Sequence, residues 1–301
     1  MTDAAATAPM IGPVIAPDLH VMTYNIRRRI GHVMPTHPDR WATRRPLLRR
    51  ILQAEQPTIL GVQEALADQA AYVAESLGPD FGGVGRGRNP NGRGERSIIF
   101  FDRRRLRLTA TNQLALSDTP DKPGSRTWGN SVPRVVVSAE FDDLATGGRV
   151  IAFTTHFDHK SPRARWRSAQ MIVKLVADAQ TANPAAVVVV TGDVNADVDS
   201  AVYRHLTEGG VLRDSWHAAE HRLTPQWGTF SNYLPLRPGG KRIDLILVGT
   251  NVEVERTGIN VVRFDGAAAS DHDPVQAVVR AIGAHGVPNE PPAEAVKVTA
   301  G

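Results

Sequence analysis

The sequence predicts a single α/β domain, and three features of the chain support this. Short runs rich in Val and Ile recur along it, bounded by Gly, Pro, Asp or Asn, which is typical of strands. Segments with helical periodicity separate several of these runs. The mixture continues to about residue 282 without a linker or an internal repeat, so we expect one domain.

The predicted elements follow in chain order. Eight strands are predicted, at His20–Tyr24, Ile59–Val62, Ser97–Phe101, Val135–Phe141, Val150–Thr155, Ala186–Thr191, Ile243–Val248 and Val275–Ala281. Four helices are predicted at about residues 40–54, 66–77, 161–177 and 200–206. The third begins at Ser161-Pro162, because a serine can cap a helix and proline fits its first turn.

The two ends of the chain differ in composition from the domain between them. Residues 1–18 and 283–301 are rich in Pro, Ala and Gly, so we predict flexible segments there and a domain at 19–282. Residues 117–133 form a long polar stretch within the domain. A loop of this length inside a compact domain is often functional.

The composition narrows the class of protein. With 42% hydrophobic and 22% charged residues, the chain has the make-up of a globular domain. No apolar run approaches the roughly 20 residues needed to cross a bilayer, and residues 1–17 lack a signal-peptide pattern. We therefore expect a cytoplasmic monomer without stable membrane association. The absence of Cys excludes disulfides, thiolate metal sites and cysteine nucleophiles.

Positive charge is concentrated in the first part of the chain. The net charge is +4, but residues 1–110 hold 16 arginines against 10 acidic residues. The clusters lie at Arg27–Arg29, Arg44–Arg45, Arg49–Arg50 and Arg103–Arg105. They could attract a polyanion, although a solvated surface that uses Arg in place of Lys explains them equally simply.

Polar residues stand at or near the ends of several predicted strands. These positions are Asn25, Glu64, His156, Asp193, Asn195, Asp271 and His272. One acid at a strand end usually marks a turn or a cap. So many such positions together favour a site, because a rigid sheet presents polar groups to a ligand at its strand ends and loops.

The residue types at these positions suit one chemistry. Carboxylate and amide oxygens are hard ligands that match Mg²⁺ or Mn²⁺. Hydrolysis of a phosphate ester needs compensation of phosphoryl charge, an activated water and help for the leaving oxygen. An Asp can deprotonate water, and a His held protonated by a second Asp can donate to a phosphoryl oxygen.

Six segments in order resemble the motifs of the endonuclease/exonuclease/phosphatase superfamily. They are Met22–Ile26, Gln63-Glu64, Thr155–His159, Gly192–Asn195, Arg242–Asp244 and Ser270–Pro274. The resemblance implies a DNase I-like four-layer α/β sandwich, in which two mainly antiparallel sheets pack face to face with helices outside. It also implies a hydrolase of phosphate esters that depends on Mg²⁺ or Mn²⁺.

The resemblance also implies roles for individual residues. Glu64, Asn25 and Asp271 match positions of the metal and phosphate site. Asp193 matches the residue that activates water, and Asn195 a neighbour that contacts phosphate or water. His272 matches the histidine that contacts the scissile phosphate, with Asp244 orienting it. His156 stands where some nucleases have Tyr, which tilts the interpretation away from an abasic-site endonuclease.

Four residues are predicted on the substrate side. Glu95 and the segment from Leu116 to Arg134 resemble elements of a bacterial branch of the superfamily that has no single agreed substrate. Trp128 could stack on a ring or anchor the long loop, and His159 could bind substrate or be structural. The substrate is a phosphate ester, either a small molecule or a nucleic acid. A nuclease is the alternative activity, and a binding protein that retains the fold is the non-enzymatic alternative.

Overall fold

The computed structural model describes residues 8–31, 34 and 36–283. Within these residues the chain forms thirteen strands and five helices. The strands are β1 (Leu19–Asn25), β2 (Ile59–Ala65), β3 (Phe81–Val84), β4 (Arg96–Asp102), β5 (Leu106–Ala115), β6 (Val135–Asp143), β7 (Arg149–His156), β8 (Val187–Asp193), β9 (Leu212–Asp214), β10 (Ala219–Arg222), β11 (Asp244–Gly249), β12 (Val252–Ile259) and β13 (Val275–Ala281). The helices are α1 (Trp41–Glu55), α2 (Ala67–Leu77), α3 (Pro162–Ala182), α4 (Ala201–Thr207) and α5 (Ser215–Ala218).

The strands form two sheets whose central strands are arranged alike. One has the order β10-β12-β13-β1-β2-β4-β3 and the other β5-β6-β7-β8-β11-β9. Most neighbours are antiparallel, but β1 runs parallel to β2, β7 runs parallel to β8, and the edge strand β10 runs parallel to β12. The β1/β2 and β7/β8 pairs are each flanked by antiparallel strands on both sides, so the two sheets share a local arrangement that the sequence does not show as a repeat.

The two sheets pack face to face, and helices cover their outer faces. The inner layer contains buried side chains from both sheets, such as Val21, Ile99, Val137 and Val189. Leu48, Ile51 and Leu52 of α1 pack on the outer face of the first sheet. Helices α3 and α4 bury Ala169, Ile172 and Leu206 against the second. The predicted four-layer sandwich is therefore confirmed.

The sheets approach each other closely at Gly61. A side chain there would come within 2.0 Å of Thr191 Oγ1 and 2.8 Å of Thr154 Oγ1. Such distances are incompatible with any Cβ atom, so glycine is required by the packing. Two residues further along β2, Gln63 Nε2 donates to Thr154 Oγ1 across the same interface at 3.1 Å. These contacts fix the central strands of one sheet against those of the other.

All eight predicted strands and all four predicted helices are present, with ends shifted by a few residues. Five strands were not predicted from the pattern. Among them, β5 is an edge strand in which half of the residues are exposed, four of them in succession, so it lacks the apolar alternation of a half-buried strand. Strand β12 does alternate, but a bulge between Val254 and Arg256 interrupts its register.

The ends of the chain lie partly outside the described residues. Residues 1–7 and 284–301 are among those not described, so the predicted domain limits stay predictions. Within the first predicted flexible segment, the backbone N–H groups of Met10, Ile11 and Gly12 donate to the buried Glu55 carboxylate. That short stretch is therefore bound to α1. In the described part of the chain, every helix is too short or too polar to cross a bilayer.

Candidate active site

The two central parallel pairs, β1/β2 and β7/β8, bring their polar ends to one edge of the sandwich. Asn25 lies opposite Gln63 at the end of β1 and β2, and His156 lies opposite Asp193 at the end of β7 and β8. The carboxyl ends of parallel strands share one edge of a sheet. A cleft of about 580 Å³ opens at this edge. The predicted site residues that line it are Glu64, Glu95, Arg134, His156, His159, Asp193, Asn195, Asp271 and His272.

Asp193 lies at the centre of the hydrogen-bonded groups in this cleft. Its Oδ2 accepts a hydrogen bond from Asn25 Nδ2 at 3.0 Å and lies 3.5 Å from His156 Nε2 and 3.8 Å from His272 Nε2. Its Oδ1 accepts the backbone N–H of Asn195 at 2.9 Å. Burial and the nearby Asp244 carboxylate raise the pKa of Asp193 to about 7. A carboxylate with this pKa is suited to accept a proton near neutral pH.

His272 is held by a buried carboxylate on the side away from Asp193. Its Nδ1 donates to Asp244 Oδ2 at 2.8 Å, and Asp244 is 1% exposed. Burial acts against protonation, but the charge and hydrogen bond of Asp244, with Asp193 and Asp271, raise the pKa of His272 to about 10. His272 is therefore an imidazolium near neutral pH, oriented as a donor into the cleft.

His156 differs from His272 in its surroundings. Burial, followed by the charges of Arg134 and Arg88, lowers the pKa of His156 well below its usual range. The ring is therefore neutral near pH 7. With Nε2 3.5 Å from Asp193 Oδ2, it occupies the side of the cleft between Asp193 and the arginines.

Glu64 and Asp271 are the candidate metal ligands in the cleft. Glu64 Oε2 accepts the backbone N–H of Arg28 at 3.0 Å. Burial acts to raise the pKa of Glu64, but this N–H and His272 lower it below its usual range. Glu64 is thus ionised near neutral pH, and Asp271 lines the same cleft. These hard oxygen donors fit a divalent cation of the Mg²⁺ or Mn²⁺ kind.

Asn25 is not placed as the prediction of a metal ligand requires. Its Oδ1 accepts the backbone N–H of Arg27 at 3.0 Å, so its Nδ2 faces the acids. That nitrogen donates to Glu64 at 3.1 Å and to Asp193 at 3.0 Å. An amide nitrogen that carries two protons cannot bind a cation. In this arrangement Asn25 instead links the Glu64 carboxylate to the Asp193 carboxylate.

A second group of possible ligands does not fit a cation as well. Asp193, Asp244 and His272 each offer one atom within 4.8 Å of the others. The Asp244 and His272 atoms are already bonded to each other, and His272 holds a proton. A metal needs deprotonated ligands. This group is therefore better described as a hydrogen-bonded acid–histidine relay than as a metal site.

Arginines line the other side of the cleft. Arg134 is 4% exposed, and its Nη2 donates to His159 Nδ1 at 2.9 Å. Its Nε lies 3.6 Å from Asp158 Oδ2. In the part of the chain that the structure describes, Nε and Nη1 of Arg134 have no hydrogen-bond partner. Buried donors of this kind normally have a partner, so a ligand anion is the natural acceptor.

Glu95 lies beside these arginines. Its carboxylate pairs with Arg88 at 2.8 Å and lies 3.6 Å from Arg28. Burial raises the pKa of Glu95, and the negative charge of Glu64 raises it further, while the positive charge of Arg88 acts to lower it. An acid engaged by two arginines positions them, which is a different role from the predicted contact with substrate.

Trp128 lies outside the cleft, contrary to the predicted substrate contact. It is 4% exposed and packs with Leu116 in the layer between the second sheet and its helices. The Arg167 guanidinium lies 5.6 Å from its ring. A separate groove of about 430 Å³ borders this ring. Trp128 therefore anchors the 117–133 loop, while Ser131 and Val132 of that loop reach the cleft.

The sequence analysis assigned no site role to eight of the cleft residues. They are Arg27, Arg28, Arg88, Ser131, Val132, Lys160, Phe230 and Asn232. The arginine cluster at Arg27–Arg29 and its nearness to Asn25 are the signals that could have indicated the first two. Phe230 and Asn232 lie in a loop that follows no predicted strand, although the Phe230 ring contacts His272 at a centroid distance of 4.9 Å.

Strained backbone is found at several cleft positions. Arg27, Glu64 and Asn195 have φ of 53°, 64° and 48°, in the left-handed region that non-glycine residues rarely adopt. Such strain persists only when the surrounding structure holds it in place, and it clusters at functional sites. Glu64 sits where β2 departs from its register with β4, which turns its carboxylate toward the cleft.

Comparison with solved structures supports this assignment of the fold. A mannosyl-6-phosphatase from Bacteroides thetaiotaomicron is 29% identical, with a TM-score of 0.79, over 87% of this chain and 99% of that one. A family protein from Bacteroides vulgatus is 28% identical, with a TM-score of 0.79, over 88% and 99%. The catalytic domain of human nocturnin, at 17% identity and a TM-score of 0.66 over 88% and 94%, shares the fold.

Sequence comparisons give one further result. No curated protein matches the chain. The model of the endonuclease/exonuclease/phosphatase family, however, matches residues 22–272, which include Glu64, Asp193 and His272. The chain therefore belongs to the endonuclease/exonuclease/phosphatase family.

Proposed function

We propose that this protein is a divalent-metal-dependent phosphatase that hydrolyses the phosphomonoester of a small phosphorylated molecule, with a hexose 6-phosphate as the first candidate. The observation that carries this proposal is the position of Asp193. One carboxylate oxygen lies within 3.8 Å of both cleft histidines and is fixed by Asn25. A water molecule beside it would be next to a proton acceptor and next to two groups that can donate to phosphate.

Each residue has its own part in the reaction. Asp193 accepts a proton from the attacking water as the water oxygen bonds to phosphorus and the ester P–O bond breaks, and the leaving alkoxide takes up a proton from solvent water. The His272 imidazolium, held by Asp244, donates to a phosphoryl oxygen, and neutral His156 donates to another. Asn195 borders the position of the water. Glu64 and Asp271 would hold Mg²⁺ or Mn²⁺, which supplies positive charge to the phosphoryl and leaving oxygens when bound.

The arginine side favours a compact anion. Arg134 lines the cleft with Arg88, His159 and Lys160, and its Nη1 has no hydrogen-bond partner among the described residues. A terminal phosphate offers more acceptor oxygens and more charge than a diester within a chain. The mannosyl-6-phosphatase that resembles this chain suggests which class of phosphomonoester to test first.

The arginine clusters give less support to the nuclease alternative. Many of the arginines outside the cleft already pair with acids: Arg29 with Asp68, Arg49 with Glu75, Arg104 with Asp102, Arg105 with Asp143 and Arg107 with Asp142. Paired guanidinium groups offer less free charge to the phosphates of a polynucleotide. A nuclease is therefore the alternative outcome of the test rather than a second proposal.

The test is a panel of substrates offered to the purified protein with Mg²⁺ or Mn²⁺, and again with EDTA. The panel holds mannose 6-phosphate, glucose 6-phosphate, p-nitrophenyl phosphate, bis(p-nitrophenyl) phosphate, and single- and double-stranded DNA and RNA. We expect metal-dependent phosphate release from the monoesters. Cleavage of nucleic acid with no monoester turnover would establish the nuclease instead. Inactivity on every substrate, together with no metal binding, would support a binding protein.

A further inference from the structure

Arg27 contacts three carboxylates that come from separate parts of the chain. Its Nε and Nη2 each donate to Asp39 Oδ2 at 3.1 Å. Its Nε also lies 3.5 Å from Asp271 Oδ2, and its Nη1 lies 4.0 Å from Glu64 Oε2. One guanidinium thus spans the distance between the two acids that would hold a metal.

The backbone of Arg27 is fixed by several bonds. Its N–H donates to Asn25 Oδ1, and its carbonyl accepts from Arg44 Nη2 at 3.1 Å and Gln69 Nε2 at 2.9 Å. Arg44 is fully buried. The left-handed φ of 53° is therefore held from both sides of the residue. The guanidinium in turn is held by Asp39, which also accepts the Tyr233 hydroxyl at 2.9 Å.

This placement has an electrostatic consequence. A guanidinium stays charged at every pH at which a protein is folded. A cation bound between Glu64 and Asp271 would lie a few ångströms from it, and like charges at that separation repel strongly where water is partly excluded. Asp271 already pairs with the Arg27 guanidinium at 3.5 Å, whereas Glu64 lies 4.0 Å from it, at the outer limit of an ion pair.

We propose that Arg27 is a built-in cation that takes the place of a second metal ion, so that the cleft binds a single divalent cation, held by Glu64 and Asp271. This inference rests on the proposed metal dependence and goes beyond it by setting the number of ions. Arg27 acts here as a positioning residue, because it fixes acids rather than the reacting atoms.

The experiment measures Mn²⁺ binding to the full chain by titration calorimetry, without substrate. Wild type should bind one Mn²⁺ per chain. Arg27→Met should bind two, with the added ion lost again in Arg27→Met/Asp39→Asn, because Asp39 is the carboxylate that Arg27 would release and is not a ligand of the first ion. Arg27→Lys keeps the charge and should bind one. Arg29→Met removes an exposed arginine that pairs with Asp68 and should also bind one. The first ion should bind Arg27→Met about ten-fold more tightly or better, since a nearby repulsion is removed.

The outcomes separate the role of Arg27 from the proposed metal dependence of the enzyme. Two ions on wild type would overturn the role of Arg27 while leaving the metal-dependent enzyme intact, and this result needs no variant to fold. One ion on Arg27→Met at unchanged affinity, with a normal thermal melt, would also overturn it. No ion on wild type would overturn the proposed metal dependence, and the inference about Arg27 with it.

Discussion

The two sides of the cleft are built in different ways. On the acid–histidine side, Asp193, His272 and Asp244 are bonded or paired to one another, and the orientation of each ring and carboxylate is fixed. On the arginine side, Arg134 is as deeply buried, yet its Nη1 has no hydrogen-bond partner among the described residues, and its Nε has only the Asp158 carboxylate at 3.6 Å. The polar groups on the acid–histidine side are paired with one another, whereas the arginine side has a donor left to bind an anion.

This difference indicates that the two sides of the cleft have different roles, one in catalysis and the other in binding. Groups that are already oriented toward one another can act on a reacting phosphate without rearranging, which is the basis of electrostatic catalysis. Buried donors without partners gain most from binding a charged ligand. We therefore expect changes on the acid–histidine side to act mainly on kcat, and changes on the arginine side to act mainly on KM.

The largest effect on activity is expected for a change at Glu64, one of the two proposed metal ligands. Glu64→Gln keeps the shape of the side chain but removes its charge, and should abolish Mn²⁺ binding. Phosphate release should fall about a thousand-fold, because a bound cation supplies several kcal/mol of charge stabilisation. Glu75→Gln, on an exposed residue of α2, is the control and should match wild type in both assays. Normal Mn²⁺ binding by Glu64→Gln would remove Glu64 from the metal site.

A smaller effect is expected for the carboxylate behind His272. Asp244→Asn should lower kcat about a hundred-fold, because His272 loses the partner that keeps it protonated and oriented. In wild type, activity should rise as pH increases through about 7, where Asp193 loses its proton. It should fall as pH increases through about 10, where His272 loses its own. In Asp244→Asn the alkaline limb should move to lower pH.

The pH–rate profile separates this role from simple damage to the fold. Asp142→Asn, in an exposed pair with Arg107, is the control and should keep both limbs in place. An alkaline limb that did not move in Asp244→Asn would show that Asp244 does not set the protonation of His272.

On the arginine side, Arg134→Met should raise KM for a phosphomonoester about ten- to hundred-fold with a modest change in kcat. The reason is the loss of one or two hydrogen bonds to a charged group, each of which contributes about 1.5–3 kcal/mol. Steady-state kinetics with Mn²⁺ check this, with Arg167→Met as the control outside the cleft. A fall in kcat at constant KM would place Arg134 among the groups that act only in the transition state.

The smallest effect is expected at Trp128. Trp128→Phe should change kcat/KM by less than about three-fold while lowering the melting temperature by a few degrees, because the ring fills a core and not the cleft. A rise in KM as large as that of Arg134→Met would restore the predicted contact of Trp128 with substrate.

Much of this architecture could be predicted from the sequence, and the reasons are local. Burial and strand ends determine which residue types occur at neighbouring positions. The sequence therefore predicted the eight strands with strong Val and Ile patterns and the polar residues at their ends. Edge strand β5 has no such pattern, since half of its residues are exposed and only two are buried. The parallel pairing that brings Asn25, Glu64, His156 and Asp193 together is not encoded in any one segment.

The roles of single side chains were harder to predict than their presence at the site. The direction of the Asn25 amide depends on the backbone of Arg27, and the burial of Trp128 depends on α3 and the second sheet. The contacts of Arg27 join residues that are far apart in sequence. Such features follow from tertiary packing, so no spacing or composition could have indicated them.

The most direct test of the account is the turnover of Asp193→Asn, measured beside wild type with Mn²⁺ occupancy and substrate binding determined on the same samples. The account predicts a loss of kcat of about a thousand-fold or more, with metal and hexose 6-phosphate still bound, since a positioned general base contributes on this scale. Asp178→Asn, on the exposed face of α3, should equal wild type. Turnover by Asp193→Asn within about ten-fold of wild type would show that water is activated elsewhere and would contradict the central claim.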